Sequence, residues 1–541
     1  MKRHSFHLNL NLRQWQLGFD QWLDPWLDRL GNWNPQLLRE IKGNLVPRNV
    51  ITIILLTITA QIVFLSHRYT AAISIAGLTQ SSVNWPVWWL KICFDLSLSL
   101  AIVPILSGVY SLVSDWTQET KQGTLDFIRM TPESSNRIIL GKLLGVPAIP
   151  HIYCLLVLPL QILAGLQAGI GLGGLLLAHG VIVALVALFY TLALLYATLT
   201  ARNSHGSSAL GCAVLALIAL TPIITVAQAV MTRFTPPDRP WSSLWFGQEL
   251  INPPIGLAVI TIVSCGVLAA ALWQAVDRRF TDPANTLLTK AQSYHLTIGF
   301  NLLALGFFSP ARVGDIQSWF CVGIPWFCLM LLWTGWLMPQ RQTLLDWARY
   351  RHLTQTQRSR SWQTSWQDWL WNDRSPPLLA LAVNGGLTML IWLPWALSLL
   401  AADGTTATHG GVLILLSIGC STTLILFCAA LAQWVLLLKA RRPAEWATGA
   451  VTIVLMGSLG GAALVGAQGA YRTLFGLLTP LGAWVAASST SPDVIPFGSA
   501  GAALAIGSVA AAGMGYLAMT RLDHLGASES AALMRGDRLD S

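Results

Sequence analysis

Charge is what this sequence has least of. Of its 541 residues, 11% are Asp, Glu, Lys or Arg, against about 25% in an ordinary soluble domain. A surface that poor in charge does not face water over most of its area. Phosphate-binding sequence is missing as well. There is no GxxxxGK[ST]: Gly141-Lys142 is followed by Leu143, and Leu106-Ser107-Gly108 lies inside an apolar run that no nucleotide reaches. The chain is therefore not expected to hydrolyse ATP itself. No HExxH, zinc-type Cys/His cluster or pair of catalytic carboxylates occurs, so no catalytic or metal-ligating residue is assigned. None of the 8 Cys forms a CxxC pair, and all lie within or beside apolar runs, which suits small packing residues rather than disulfides. Ionisable groups inside the apolar runs are nearly absent. Lys91 and Asp95 are placed four apart to pair with each other, and His151 and His179 stand alone. A pump without its own nucleotide site or proton path needs energy delivered from elsewhere.

Apolar sequence is abundant: 54% hydrophobic residues, 25 Trp and a mean hydropathy of +0.57. The apolar runs are about 17–25 residues long, the length of a membrane-crossing helix, where barrel strands would be about 10 residues with alternation. They fall at 50–66, 91–113, 144–166, 174–199, 208–231, 253–276, 293–309, 317–338, 377–400, 411–438, 446–467 and 498–520. The segment 473–489 is apolar but broken by Pro480, which suits an interfacial or re-entrant piece. No small-residue cleavage site follows the first run, so it reads as a span and not a signal peptide. With the N-terminus inside, about 27 of the 33 Lys and Arg fall on the cytoplasmic side and about 6 outside, the positive-inside pattern. The net charge of +9 is thereby explained without nucleic acid. The expected fold is an all-α polytopic integral membrane protein with about 12 transmembrane helices, amphipathic interfacial helices and both termini cytoplasmic.

Two stretches read as interfacial. Over the N-terminal 33 residues, Trp15, Phe19, Trp22, Trp26 and Trp33 recur at helical spacing opposite Asp20, Asp24 and Asp28; Trp362, Trp366 and Trp369 repeat the theme. Trp33-Asn34-Pro35-Gln36-Leu37-Leu38 after the first and Arg374-Ser375-Pro376-Pro377-Leu378-Leu379 after the second hint at an internal duplication. The last span holds Gly501, Ala505, Gly507, Ala511, Gly513 and Gly515, and such small residues predict close packing against neighbouring helices.

The most informative segment lies between the second and third runs. Leu125, Ile128 and Met130 give one apolar face, Asp126 and Arg129 the other, and Thr131-Pro132 ends the helix. Such a short amphipathic helix suits either a force-transmitting element or an ordinary connector. The order Glu119…Gly123-Thr124-Leu125…Thr131-Pro132…Gly141-Lys142 resembles the E-x-x-x-G-T-L…T/S-P…G-K pattern of type 2 ABC exporter permeases. Asn34-Pro35 leading into Leu38-Arg39-Glu40-Ile41-Lys42-Gly43 looks like that family's helix on the inner membrane surface. The resemblance covers residues 34–200 and extends toward 276. The chain departs from it in having about twice the usual six spans and no second Gly-Thr-Leu segment.

The resemblance implies a permease subunit of a bacterial ATP-driven exporter in the cytoplasmic (inner) membrane. ATP and Mg would be bound by a separate ABC ATPase subunit, and no cofactor by this chain. Glu119, Gly123, Thr124, Leu125, Thr131, Pro132, Gly141 and Lys142 would form the ATPase-coupling segment 116–142. Arg39, Glu40 and Lys42 would anchor the surface helix among membrane lipids. The implied organisation is 1–49 interfacial, 50–276 the permease-like domain, 277–376 two spans and a Trp/Arg-rich linker, 377–520 a second membrane region and 521–541 a tail, with a homodimer or a second permease as a possible assembly. Two rivals stand beside this reading: a membrane-embedded enzyme acting on lipid-linked substrates, and a non-transporting assembly subunit.

Overall fold

The computed structural model describes residues 29–79, 82–200, 209–232, 244–246, 248–249, 255–307, 316–357, 362–400, 405–464 and 497–526. Most of the Trp-rich N-terminal stretch and all of 473–489 lie outside the described residues. Among those described, eight helices are long and apolar enough to cross a membrane, and Val322–Trp336 with Arg341–Arg351 forms a further pair bent by 68°. Apart from a two-residue ribbon, Leu244–Trp245 with Gln248–Glu249, the regular structure described is helical. The protein is an all-α, multi-pass membrane protein. Over their described residues the twelve apolar runs lie on helices, with 144–166 divided between Ser135–Gly145 and Ala148–Gln167.

The chain divides into two compact units, Met1–Ser242 with Glu249–Thr281, and Ser243–Gln248 with Asp282–Ser541. The first contains α1 (Pro35–Asn44), α2 (Pro47–Thr79), α3 (Trp85–Gln122), α4 (Thr124–Arg129), α5 (Ser135–Gly145), α6 (Ala148–Gln167), α7 (Leu172–Thr200), α8 (Ala209–Thr232) and α9 (Ile255–Thr281). Helix α3 is its axis, packed on α6, α7 and α8. Its buried Ile92, Cys93, Leu96 and Leu100 meet Val157 and Ala164 of α6 and Leu175 of α7. Helix α2 has 33 residues, about 50 Å at 1.5 Å per residue, against a hydrocarbon core of about 30 Å. Leu55 and Ile62 are each 62% exposed, the mark of a helix whose neighbours are lipid. Asp95 pairs with Arg68, within α2, not with Lys91 as its spacing suggests, so the ion pair joins two helices instead of bracing one.

The second unit contains α10 (Lys290–Phe307), α11 (Ile316–Trp336), α12 (Arg341–Gln357), α13 (Trp362–Trp371), α14 (Leu378–Leu400), α15 (Thr405–Leu436), α16 (Pro443–Leu464) and α17 (Phe497–Gly526). Its core holds a seam of neutral polar side chains. Ser293, Thr297 and Asn301 follow one face of α10, and Asn384 and Thr388 face them from α14. Asn384 Nδ2 donates to Ser293 Oγ at 3.0 Å, Asn301 Nδ2 to Thr388 Oγ1 at 3.1 Å, and the indoles of Trp326, Trp333 and Trp392 donate to Thr388, Thr297 and Asn301, each at 3.0 Å. In hydrocarbon such bonds hold helices in register. At the head of the seam Lys290, 1% exposed, donates to Trp369 O at 2.7 Å, to Ser375 Oγ and to Pro376 O at 3.3 Å. It thereby satisfies a carbonyl at the free end of α13, where a helix has no acceptor partners of its own. Helix α17 packs on α15 with Ala500, Ala503 and Ala518 buried, but Val509 and Tyr516 are 74% and 70% exposed. The small-residue helix is therefore buried on one face only.

Candidate functional site

Asn34 starts the site. Its backbone is extended, its side chain accepts from Leu37 N at 2.9 Å, and Pro35 follows in the first turn of α1, a helix start in which the capping oxygen replaces a missing partner. The same side chain donates to Arg137 O on α5 at 2.8 Å, so the cap also docks α1 on α5. The contact is close because of glycine. A Cβ at Gly141 would stand 2.8 Å from Leu37 N, and one at Gly145 would stand 2.5 Å from Glu40 Cβ. The four-residue spacing puts both glycines on one face of α5, the small-residue arrangement that lets helix backbones approach.

Lys142 stands between those glycines and is fully buried. Its ammonium forms ion pairs with Asp115 Oδ2 at 2.7 Å, Glu119 Oε2 at 2.7 Å and Glu40 Oε1 at 3.2 Å. Arg39 pairs with Glu119 from the outer side, and Gln36 Nε2 donates to Glu40 Oε1 at 2.6 Å. The three acids bring carboxylate oxygens within 4.8 Å of one another, and the Lys142 ammonium is the cation that such crowding requires. Burial alone would lower the Lys142 pKa; Asp115, Glu40 and Glu119 outweigh it and the net shift is upward. Glu40 is shifted up, first by burial and then by its acidic neighbours, with Lys142 opposing. Lys142 thus stays an ammonium, and the arrangement acts as a brace rather than as an acid–base pair. Separating the buried Glu40 from it would strand a charge, which costs about 3–5 kcal/mol. Helices α1, α3 and α5 are therefore linked by one side chain.

The segment between α3 and α5 hangs from this brace. Helix α3 ends at Gly123, whose φ of 74° is left-handed. Nothing lies within 4 Å of where its Cβ would be, so glycine is required here by backbone conformation and not by crowding. Thr124 Oγ1 donates to Glu119 O at 3.2 Å, and Thr131 Oγ1 to Ile128 O at 2.7 Å where α4 stops before Pro132. Leu125 and Ile128 are buried, whereas Phe127 and Met130 are 69% and 78% exposed. Met130 belongs with the outward side and not with the face of Leu125, because the chain leaves α4 at Arg129. The end of α9 holds the segment from behind. Arg129 lies over the Phe280 ring at 5.0 Å, Ser135 Oγ bonds Asp277, and Trp273 Nε1 donates to Asn136 Oδ1 at 2.8 Å.

The structure thus brings together Arg39, Glu40, Glu119, Gly141 and Lys142, and hangs Gly123, Thr124, Leu125, Thr131 and Pro132 from them. Lys42 stands apart, exposed near the end of α1, and Glu40 turns inward instead of toward headgroups. Asp115 was not singled out in the sequence. Its signal was its place four residues before Glu119, on one face of α3. No family model, curated protein or solved structure matches the chain, so its function is argued from these residues.

Proposed function

We propose that this chain is the membrane permease subunit of an ATP-driven exporter of the type 2 ABC class, in a bacterial cytoplasmic membrane, with ATP and Mg bound by a separate ATPase. In this reading the chain crosses the membrane about twelve times with both termini cytoplasmic, as the distribution of Lys and Arg suggests. The observation that carries the reading is the Lys142 brace. It ties the surface helix α1, the inner end of α3 and the helix leading into α6 to one short segment that presents Phe127 and Met130 outward. A soluble ATPase pressing on those two side chains would move α4 and the brace as one body, because the buried ion pairs resist separation. Glu119 and Leu125 hold the segment from inside; Phe127 and Met130 are what it offers to a partner.

The test is a mild-detergent pull-down of the tagged full-length protein from its native membranes, with the copurifying ATPase identified by mass spectrometry. Phe127→Ser with Met130→Ser changes exposed side chains and leaves the buried contacts in place, so stability should shift by less than about 0.5 kcal/mol. An ATPase recovered with the wild type and lost with this variant is the expected result. A well-folded wild type that brings down no ATPase would sink the exporter reading.

A further inference from the structure

The turn joining α15 to α16 carries Lys439, Arg441 and Arg442, with Glu445 the nearest acid in sequence. Arg442 Nη1 lies 3.3 and 3.4 Å from the Glu445 carboxylate oxygens. Lys439 and Arg441 have no acidic or hydrogen-bonding partner among the described residues. Beside them lies a shallow, open cleft of about 390 Å³ lined by Arg441, Arg442, Glu445, Trp446 and Gly449. A Cβ added at Gly449 would meet nothing within 4 Å, so the space beside it is open.

The position of the cleft is set by the helices on either side. The apolar span Ile414–Leu436 ends just before Lys439, and the apolar part of α16 begins after Trp446. With α15 and α16 read as spans, the cleft sits where hydrocarbon gives way to headgroups. Trp446, 67% exposed, is at the level where indoles collect. Deeper along α16, Ile453 and Met456 are 72% and 62% exposed. From Trp446 through Gly449 and Ile453 to Met456 the steps are three, four and three residues, which is a single helix face. A basic cleft at headgroup level thus runs directly into an open apolar stripe.

We infer that this turn is a binding site for an anionic phospholipid, with the phosphate between Arg441 and Arg442, Lys439 at the rim, and an acyl chain along Gly449, Ile453 and Met456. A free phosphate would use the arginines and leave the stripe idle. A zwitterionic lipid would set its own cation against Lys439 and Arg441. Basic recesses between membrane helices are a recurrent solution for anionic headgroups.

The probe is phosphatidylglycerol, titrated into phosphatidylcholine nanodiscs holding the full chain, with retained lipid counted by native mass spectrometry. Each basic side chain at an anionic surface is worth about fivefold in affinity, so Arg441→Gln with Arg442→Gln should weaken retention roughly thirtyfold. Gly449→Phe fills the cleft without touching charge and should also release the lipid; Ile453→Ser, an exposed change in the stripe, serves if the first variant does not fold. Arg349→Gln, an exposed cation elsewhere in the same unit, should retain phosphatidylglycerol like the wild type. Retention unchanged in the arginine variant would overturn the site. Loss in that variant but in neither the cleft nor the stripe variant would reduce it to diffuse charge attraction and overturn it as well. Displacement of the lipid by excess inorganic phosphate alone would make it a free-anion site instead.

Discussion

Lys142 is buried among three carboxylates, whereas Lys290 is buried among two backbone carbonyls and a hydroxyl. The two lysines therefore respond to pH in opposite directions. For Lys290 burial dominates, and the nearby Asp373 and Asp368 only partly offset it, so its pKa falls from 10.5 to about 8. Between those values the unfolded chain binds the proton and the folded chain does not, so folding gains stability as pH rises, by about 1.4 kcal/mol per pH unit. Below pH 8 the folded state carries the whole penalty. Lys142 is shifted above 10.5, so its contribution is fully present below that pH and is lost only above it. The wild type should therefore gain about 2 kcal/mol over Lys290→Met between pH 7.5 and 9.5. Thermal melting in detergent across that range checks it. A difference that stays flat with pH would mean that Lys290 is better solvated than its burial indicates.

At the scale of elements, α1 and α5 act as one layer because glycines stand where they cross. A side chain at Gly141 meets backbone and the Asn34 cap, neither of which can swing away. Gly141→Leu should therefore cost about 1–3 kcal/mol through overpacking, and it should also loosen Glu40 from Lys142. A lower melting temperature with faster amide exchange across α1 is the expected outcome; unchanged exchange there would show that α1 docks through other contacts. This crossing was partly legible in the sequence, because Gly141-Lys142 and Arg39-Glu40 belong to recognisable short patterns. That they meet was not, since they are separated by about a hundred residues and only packing joins them. Membrane helices were readable from apolar length alone, since a backbone in lipid has few other ways to satisfy itself. The polar seam of the second unit is hard to read from sequence for a different reason. Its Asn, Thr and Ser residues are uncharged, and a search for intramembrane ions passes over them, although Thr297, Asn301, Asn384 and Thr388 repeat at four-residue spacing within apolar runs.

At the scale of the whole molecule, each unit has its own buried lysine, and the partners of each lie within its own unit. Lys142 contacts α1 and α3; Lys290 contacts the end of α13 and the turn into α14. In the first unit the lysine braces a segment with exposed apolar side chains, and in the second it caps a Trp-rich helix and heads a closed seam. The first lysine is held by charge and the second by backbone carbonyls and a hydroxyl, so the two units use their buried cations differently. If the two units are separate cooperative bodies, damage to one lysine should stay in its own unit. Lys142→Met takes the cation from Glu40 and Asp115 and leaves Glu119 to Arg39 alone, and should destabilise its surroundings by about 3–5 kcal/mol. Hydrogen exchange should then rise over residues 35–44 and 135–145 while 362–376 keeps its wild-type protection. Lys290→Met should produce the reverse pattern, freeing the carbonyls at the end of α13 and leaving α1 and α5 unchanged. Protection lost in both sets of residues from either single substitution would mean that the units unfold together and are not separate cooperative bodies.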